Sequence, residues 1–108
     1  MKVAVVGSRT LSLDLTPYIP PEADCILSGG AKGIDQAAES YARTHGLRLK
    51  IFAPEYARYG RGAPFVRNRA MVEEADLVVA IWDGVSRGTR YTVDYAKKQG
   101  KPVKIYLV

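Results

Sequence analysis

This sequence is poor in residues that crosslink a chain or bind metals. Among 108 residues it holds one cysteine, Cys25, and one histidine, His45. A single cysteine cannot form an internal disulfide, and one Cys with one His has no metal-ligand spacing, so we predict neither a disulfide nor a metal site. Cys25 lies in an apolar segment, where packing is its expected role. His45 precedes Gly46 at the expected end of a helix, where a cation or donor suits the helix dipole.

Long apolar runs and the standard nucleotide-binding motifs are also missing. No segment has the length of a membrane span, and Met1-Lys2 leads directly into a predicted strand rather than a signal peptide. We therefore expect a cytoplasmic protein without membrane contact. Gly7 stands alone after the first strand, so the pattern GxGxxG is absent, and Lys32-Gly33 does not continue as the GK[ST] of a P-loop. A standard dinucleotide or ATPase site is disfavoured, and we expect no cofactor.

What the chain does contain is an alternation of apolar strands and amphipathic helices. The predicted strands cover residues 2–6, 25–28, 47–52, 75–82 and 102–108, and the predicted helices cover residues 34–45, 65–74 and 88–99. Residues 11–23 contain three prolines and predict only a short, irregular helical crossover. The alternation predicts a single α/β domain, residues 1–108, with a Rossmann-like three-layer fold and a five-stranded parallel sheet of order 3-2-1-4-5.

Glycine-rich loops follow the first, second and fourth predicted strands. They cover residues 7–9, 28–33 and 83–89. In the predicted order, the connections of strands one and four leave in opposite directions, which opens a crevice at the carboxyl ends of these strands. Glycine lets the backbone approach a ligand closely, and the first N–H groups of a helix have no partner within it, so these loops favour an anion. The alternative is that they are tight turns that bind nothing.

Half of the basic residues fall in these loops or near the first turns of the helices that follow. They are Arg9, Lys32, Arg58, Arg61, Arg67, Arg69, Arg87 and Arg90. Arginine suits phosphate through its paired donors, although we expect Arg58, Arg69 and Arg90 to be solvated surface. Four aromatic residues near the same rim either stack on a base or only pack. These are Tyr56, Tyr59, Trp82 and Tyr91.

Five segments in this order resemble one known superfamily. They are VVGSR at residues 5–9, SGGAKGID at 28–35, RNRAM at 67–71, DLVVA at 76–80 and GT at 88–89. The pattern resembles the SLOG superfamily, which includes the Smf/DprA DNA-processing proteins and the LOG (Lonely Guy) cytokinin-activating hydrolases. The resemblance covers nearly the whole chain and is greatest to the small stand-alone members of mostly unknown function. It implies a Rossmann-like fold that binds nucleotides or nucleotide-derived ligands, commonly as a homodimer.

The same resemblance reveals a departure at the residues that would catalyse a reaction. LOG hydrolases cleave the N-glycosidic bond of nucleoside 5′-monophosphates with an Arg in an RxxxM-like segment and a Glu in PGGxGTxxE. Arg67 with Met71 fits the first pattern, but Thr92 stands at the position of the Glu. Threonine offers neither a carboxylate nor a useful proton acceptor at neutral pH. The catalytic residues, if there are any, remain open between Arg67, Asp35 and Asp83.

The leading hypothesis is a module that binds a nucleotide or a nucleotide derivative through its phosphate. The predicted ligand-binding residues are Gly7, Ser8, Arg9, Ser28, Gly29, Gly30, Lys32, Gly33, Arg67, Asn68, Gly84, Ser86, Gly88 and Thr89. Ser28 and Asp35 are alternatively structural residues of the turn and of the first helical turn. Two other functions stay open: hydrolysis of a nucleoside 5′-monophosphate, and binding of single-stranded DNA by the basic rim.

Overall fold

A computed structural model describes all residues, 1–108, and has five parallel strands in one sheet. The strands are β1 (Lys2–Gly7), β2 (Cys25–Ser28), β3 (Arg48–Ile51), β4 (Leu77–Trp82) and β5 (Val103–Leu107). They are ordered β3-β2-β1-β4-β5, and every neighbouring pair is parallel. The predicted fold class and strand order are therefore confirmed.

Four helices connect the strands. They are α1 (Ile34–Thr44), α2 (Tyr56–Tyr59), α3 (Ala63–Glu74) and α4 (Arg87–Lys98), with a 3₁₀ turn at Gly60–Gly62. We predicted α3 to begin at about Phe65, but it begins two residues earlier and takes Pro64 into its first turn, where a missing N–H costs nothing. None of the helices is both long and apolar enough to cross a membrane.

The core has two halves because side chains of a strand alternate between the faces of the sheet. On one face, Val3 and Val5 of β1 pack with Ile34 of α1. On the other face, Ala4 of β1 packs with Met71 of α3 and with α4. The central strands β1 and β4 are buried almost completely, as expected for a parallel sheet covered on both faces.

The connection between β1 and β2 contains turns but no helix, so the predicted helical crossover is wrong. Pro17 and the pair Pro20-Pro21 remove backbone donors. The connection nevertheless covers the sheet, because Leu15 and Ile19 are only 2% and 6% exposed and lie within the α1-side core. The side chains of Leu15 and Ile19 thus cover part of the sheet, as the apolar face of a crossover helix would.

Ser8 joins the three loops that follow β1, β2 and β4. It is buried, and its N–H donates to the Ile81 carbonyl of β4 at 3.3 Å. Its carbonyl accepts from the N–H of Ile34 at 3.3 Å, and its hydroxyl accepts from the N–H of Asp83 at 3.2 Å. Gly7 just before it has no room for a side chain, since a Cβ would overlap the Ile81 carbonyl. These contacts fix the carboxyl edge of the sheet.

Candidate functional site

A cleft of about 430 Å³ opens above the carboxyl ends of β1 and β4, between the starts of α1, α3 and α4. Most of the predicted site residues line it: Gly7, Ser8, Arg9, Gly29, Asp35, Arg67, Asn68, Asp83, Ser86, Gly88 and Thr89. Residues outside the predicted set also line it: Val6, Thr10, Ala31, Pro64, Phe65, Met71 and Thr92. Loops that are far apart in the sequence therefore meet at one place, which is the crevice expected from the strand order.

Two residues of the second glycine loop lie away from the cleft for structural reasons. The Ser28 hydroxyl donates to the Asp35 carbonyl at 3.3 Å or to the Glu39 carboxylate at 3.1 Å, and it accepts from the N–H of Gly30 at 3.3 Å. Gly30 is exposed with φ of 74° and faces Ile51 rather than the cleft. Both residues shape the turn after β2.

Three other residues predicted to bind the ligand are also placed elsewhere. Lys32 and Gly33 line a second, open groove between α1 and the β1–β2 connection. Gly33 has φ of 72°, and a Cβ there would lie 2.6 Å from the Ser8 carbonyl oxygen. Gly84 has φ of 86° in the turn after β4 and does not line the cleft. At Gly33 and Gly84 the positive φ is sufficient reason for a glycine, so these glycines are not evidence of a bound ligand.

Helix α4 begins at the cleft with unpaired backbone donors. The N–H groups of Arg87, Gly88 and Thr89 make no hydrogen bond within the protein, and Ser86 before them provides no side-chain cap. The Asp83 carboxylate instead accepts hydrogen bonds from the N–H groups of Val85 and Ser86, which precede the helix, at 2.9 Å each. A Cβ at Gly88 would meet no protein atom within 4 Å, so the helix start is open to a ligand. This arrangement suits an anion.

The start of α1 has fewer free donors than the sequence predicted. The N–H of Ile34 donates to the Ser8 carbonyl, and the N–H of Ala31 donates to the Asp35 carboxylate at 3.1 Å. Within α1 two N–H groups, those of Asp35 and Gln36, stay unpaired, against three in α4, and the Asp35 carboxylate lies beside them, so the start of α1 is the weaker of the two predicted anion sites.

Arg67 is 9% exposed and is held mainly by backbone carbonyls. Its Nη1 donates to Gly29 and, at 3.3 Å, to Phe52, while Nε donates to Pro64 at 3.4 Å. Nη2 has no hydrogen-bond partner in the protein. Every buried side-chain nitrogen of the protein does have a partner, so Nη2 is accessible to solvent. Burial lowers the pKa of this guanidinium, although the nearby Asp35 opposes the shift. Arg67 thus connects two loops and presents one free donor group.

Asp35 faces the same cleft from the first turn of α1 and is also 9% exposed. Its Oδ2 accepts from Ala31, and its Oδ1 has no protein partner. Burial raises the pKa of this carboxyl, and the Ala31 hydrogen bond and the Arg67 charge reduce the shift. No salt bridge joins Asp35 to Arg67. The cleft therefore holds an accessible carboxylate oxygen of a largely buried residue, and a ligand can reach it.

Asp83 and Thr92 are less suited to proton transfer than Asp35. Asp83 is exposed, and its hydrogen bonds to the backbone N–H groups of Val85 and Ser86 lower its pKa. It is therefore a poor proton acceptor. Thr92 is fully buried, and its hydroxyl donates to the Gly88 carbonyl at 3.0 Å. Its proton is therefore not offered to the cleft.

The aromatic residues of the rim do not form one stacking surface. Trp82 donates its indole N–H to the Ser86 carbonyl at 3.1 Å, and Tyr56 and Tyr59 point to solvent. Tyr91 packs edge-on against Phe65 with ring centroids 4.8 Å apart. Phe65 is the aromatic residue that lines the cleft, and we did not predict it as a site residue. Its position directly after Pro64, at a helix start on the rim, was the available signal.

Comparison with protein-family models, with curated proteins and with solved structures finds no match for this chain.

Proposed function

We propose that this protein binds a nucleotide or a nucleotide-derived ligand in the cleft, with the phosphate at the start of α4. The observation that carries the proposal is the group of unpaired N–H donors at Arg87, Gly88 and Thr89, of which Gly88 and Thr89 line the cleft. Arg67 adds a free Nη2 and Arg9 a second positive charge on the same lining. Charge-assisted hydrogen bonds from guanidinium and backbone N–H groups are the usual means of holding a phosphate.

Asp35 supports a ligand that has hydroxyl groups as well as phosphate. A carboxylate repels a phosphate but accepts hydrogen bonds from a ribose hydroxyl. Its free Oδ1 lies on the α1 side of the cleft, whereas the unpaired amides belong to α4. A phosphate on α4 and a sugar hydroxyl on Asp35 together describe a nucleotide, and the SLOG resemblance points to the same ligand class.

The test is a thermal-shift panel of 5′-mononucleotides and ADP-ribose with the variant Gly88→Leu. A ligand at about 100 times its dissociation constant stabilises the folded protein by about 2.7 kcal/mol. A Cβ at position 88 has open space on the lining of the cleft, so a leucine side chain extends from there into space that a ligand would use, and leucine is a better helix former than glycine. We therefore expect a folded protein that no longer responds to the ligand.

Gly62→Leu is the matched control for this experiment. Gly62 has φ of −79°, has open space at its Cβ position and does not line the cleft. This variant should respond to the ligand as the parent does. Equal responses of both variants and the parent would show that the ligand binds elsewhere, and the absence of any response in the panel would contradict the proposal. Arg67→Ala is a poorer test, because it also removes hydrogen bonds that connect two loops.

A second candidate function is hydrolysis of the N-glycosidic bond of a nucleoside 5′-monophosphate. Asp35 favours this hydrolysis. Its raised pKa and free Oδ1 are properties of a carboxyl that stabilises charge or transfers a proton at a reacting centre. We expect AMP incubated with the protein to release free adenine, measured by chromatography, and Asp35→Asn to reduce the rate by at least about 100-fold. If the protein binds nucleotides but releases no base, hydrolysis is ruled out and binding is its function.

A further inference from the structure

The net charge of this protein is concentrated in its last quarter. Residues 1–83 contain ten basic and ten acidic residues and are therefore neutral. Residues 84–108 contain six basic residues and one acidic residue, Asp94, which accounts for the whole net charge of +5. This part of the chain is α4 with β5 and their flanking segments, and it includes one edge of the sheet.

The basic side chains of α4 are turned away from α3. Tyr91 packs on Phe65 of α3, and Tyr95 donates its hydroxyl to Glu73 of α3 at 2.8 Å, so one flank of α4 faces α3. At about 100° per residue around the helix, Arg90 and Lys97 occupy the opposite flank, and Arg87 and Lys98 occupy the outer surface, on either side of which lie Asp94 and Tyr91. We call this surface the basic flank; it consists of Arg87, Arg90, Lys97 and Lys98. None of its members forms a salt bridge.

An apolar row of β5 lies uncovered on the same side of the sheet. The parallel register pairs Ile105 with Ala80 and Leu107 with Trp82, which places both side chains on the sheet face that α4 covers. Arg90 of the basic flank lies over the Trp82 ring at 5.7 Å. Ile105 is nevertheless 39% exposed and Leu107 is 70% exposed. The row therefore borders the basic flank without being covered by it.

The backbone of β5 is unpaired along its outer side. The N–H of Val78 donates to the Pro102 carbonyl, and the N–H of Val108 donates to the Trp82 carbonyl. Because a parallel strand uses alternate residues for each neighbour, Lys104 and Tyr106 bond to β4, and the polar groups of Val103, Ile105 and Leu107 point outward. Lys104 pairs with Val79 and so lies on the sheet face opposite Ile105. This edge offers backbone hydrogen bonds, apolar contacts and positive charge together.

The opposite edge of the sheet is different, although it is equally open. Ile51 of β3 is 47% exposed. The basic residues of β3 are paired there, because Arg48 lies 3.5 Å from Asp24 and Lys50 lies 2.7 Å from Glu74. Unpaired positive charge beside an open strand is therefore specific to β5.

We propose that β5 is the docking edge for an extended segment of a partner protein in which apolar residues alternate with Asp or Glu. Such a segment adds a sixth strand, its backbone bonding to Val103, Ile105 and Leu107. Its apolar side chains cover Ile105 and Leu107 beside the basic flank, and its acidic side chains lie on the other face of the sheet with Lys104. A second copy of this chain is a poorer occupant, because two strongly basic edges would be brought together.

The probe is a synthetic peptide of alternating glutamate and valine, about ten residues long, the length of a long strand. We expect saturable binding measured by NMR titration, with new protection from hydrogen exchange at the amides of Val103, Ile105 and Leu107. Ile105→Pro removes one outward donor and leaves the bonds to β4, so it should weaken binding by at least about tenfold. Ile51→Pro makes the same change at the other edge and should bind the peptide as the parent does.

Lys104→Glu provides a second variant that leaves the backbone unchanged, and it should weaken binding by about fivefold or more and reduce its salt dependence. Failure of the peptide to bind, or equal weakening by Ile51→Pro, would overturn the proposal. Concentration-dependent dimerisation abolished by Ile105→Pro would assign the edge to a second copy instead. Displacement of the peptide by oligothymidylate, with no protection of the three amides, would identify a nucleic-acid surface and equally overturn it.

Discussion

At the level of single residues, Gly29 shows why the cleft has its particular charges. A Cβ at this position would lie 2.5 Å from Nη1 of Arg67 and 2.9 Å from Oδ2 of Asp35. The missing side chain therefore lets a buried cation and a buried carboxylate approach the same loop from α3 and α1. Each keeps one polar atom without a protein partner. Because no buried side-chain polar atom of the protein lacks a partner, both of these atoms are accessible and can bind water or a ligand.

Asp35→Asn should stabilise the protein at neutral pH and have little effect in acid. The folded-state pKa of Asp35 lies above its ordinary value of 3.8, so the folded chain binds the proton more tightly than the unfolded chain. Stability then falls as the pH rises through the interval between the two pKa values, and the loss persists at higher pH. We expect a gain of about 0.5–2 kcal/mol at pH 7, which is typical of removing a destabilising functional group.

The measurement is denaturant unfolding of both proteins as a function of pH. The difference between parent and Asp35→Asn should shrink as the pH falls below the folded pKa of Asp35. Asp83→Asn is the contrasting variant: its carboxylate accepts two backbone N–H groups, which lowers its pKa, so its replacement should cost stability at neutral pH. A pH-independent difference at position 35 would show that burial does not raise the pKa of this carboxyl.

At the level of elements, the β1–β2 connection shows that a crossover in this fold does not require a helix. The segment turns at residues 15–19, where the N–H groups of Tyr18 and Ile19 donate to the Leu15 carbonyl at 2.9 and 3.2 Å. The Thr16 N–H and hydroxyl both donate to the Asp14 carboxylate. Leu15 and Ile19 then cover the sheet beside α1. Local turns supply the hydrogen bonds, and Leu15 and Ile19, together with Ala23 and half-buried neighbours, supply the burial.

Leu15→Ala should therefore cost about 2–5 kcal/mol of the free energy of unfolding, the range for truncating a buried leucine. The reason is that Leu15 is 2% exposed despite lying in a segment without regular structure. Chemical denaturation measures the change. Leu107→Ala, at a site 70% exposed, is the control and should change stability by no more than about 0.5 kcal/mol. A similarly small loss at Leu15 would mean that the connection is not part of the core.

At the level of the whole molecule, charge is divided between two surfaces with different properties. The cleft contains positive and negative side chains in close proximity, Arg9 and Arg67 with Asp35 and Asp83. Residues 84–108, which include the basic flank and β5, carry the net charge of +5 with one acidic residue. The overall charge therefore describes the edge of the sheet rather than the cleft. Binding at the cleft is expected to depend less on salt than binding at β5.

The class of fold, the strand order and the position of the cleft were all predictable from the amino-acid sequence. The apolar runs and the glycine-rich loops are local signals, and the right-handed crossover rule converts them into one topology. Gly88 and Arg67 were recognisable for the same reason, because each stands at or near the start of a helix that follows a predicted strand. Turn positions and helix starts depend on nearby residues, so they are readable from a short window.

Which donors stay unpaired depends on tertiary contacts. The start of α1 and the start of α4 look alike in sequence, but the Ser8 carbonyl accepts from the first N–H of α1, whereas the first three N–H groups of α4 have no partner. The raised pKa of Asp35, the backbone contacts of Arg67 and the open outer edge of β5 likewise depend on residues far away in the chain. Burial and pairing are properties of the assembled chain, and no local pattern specifies them.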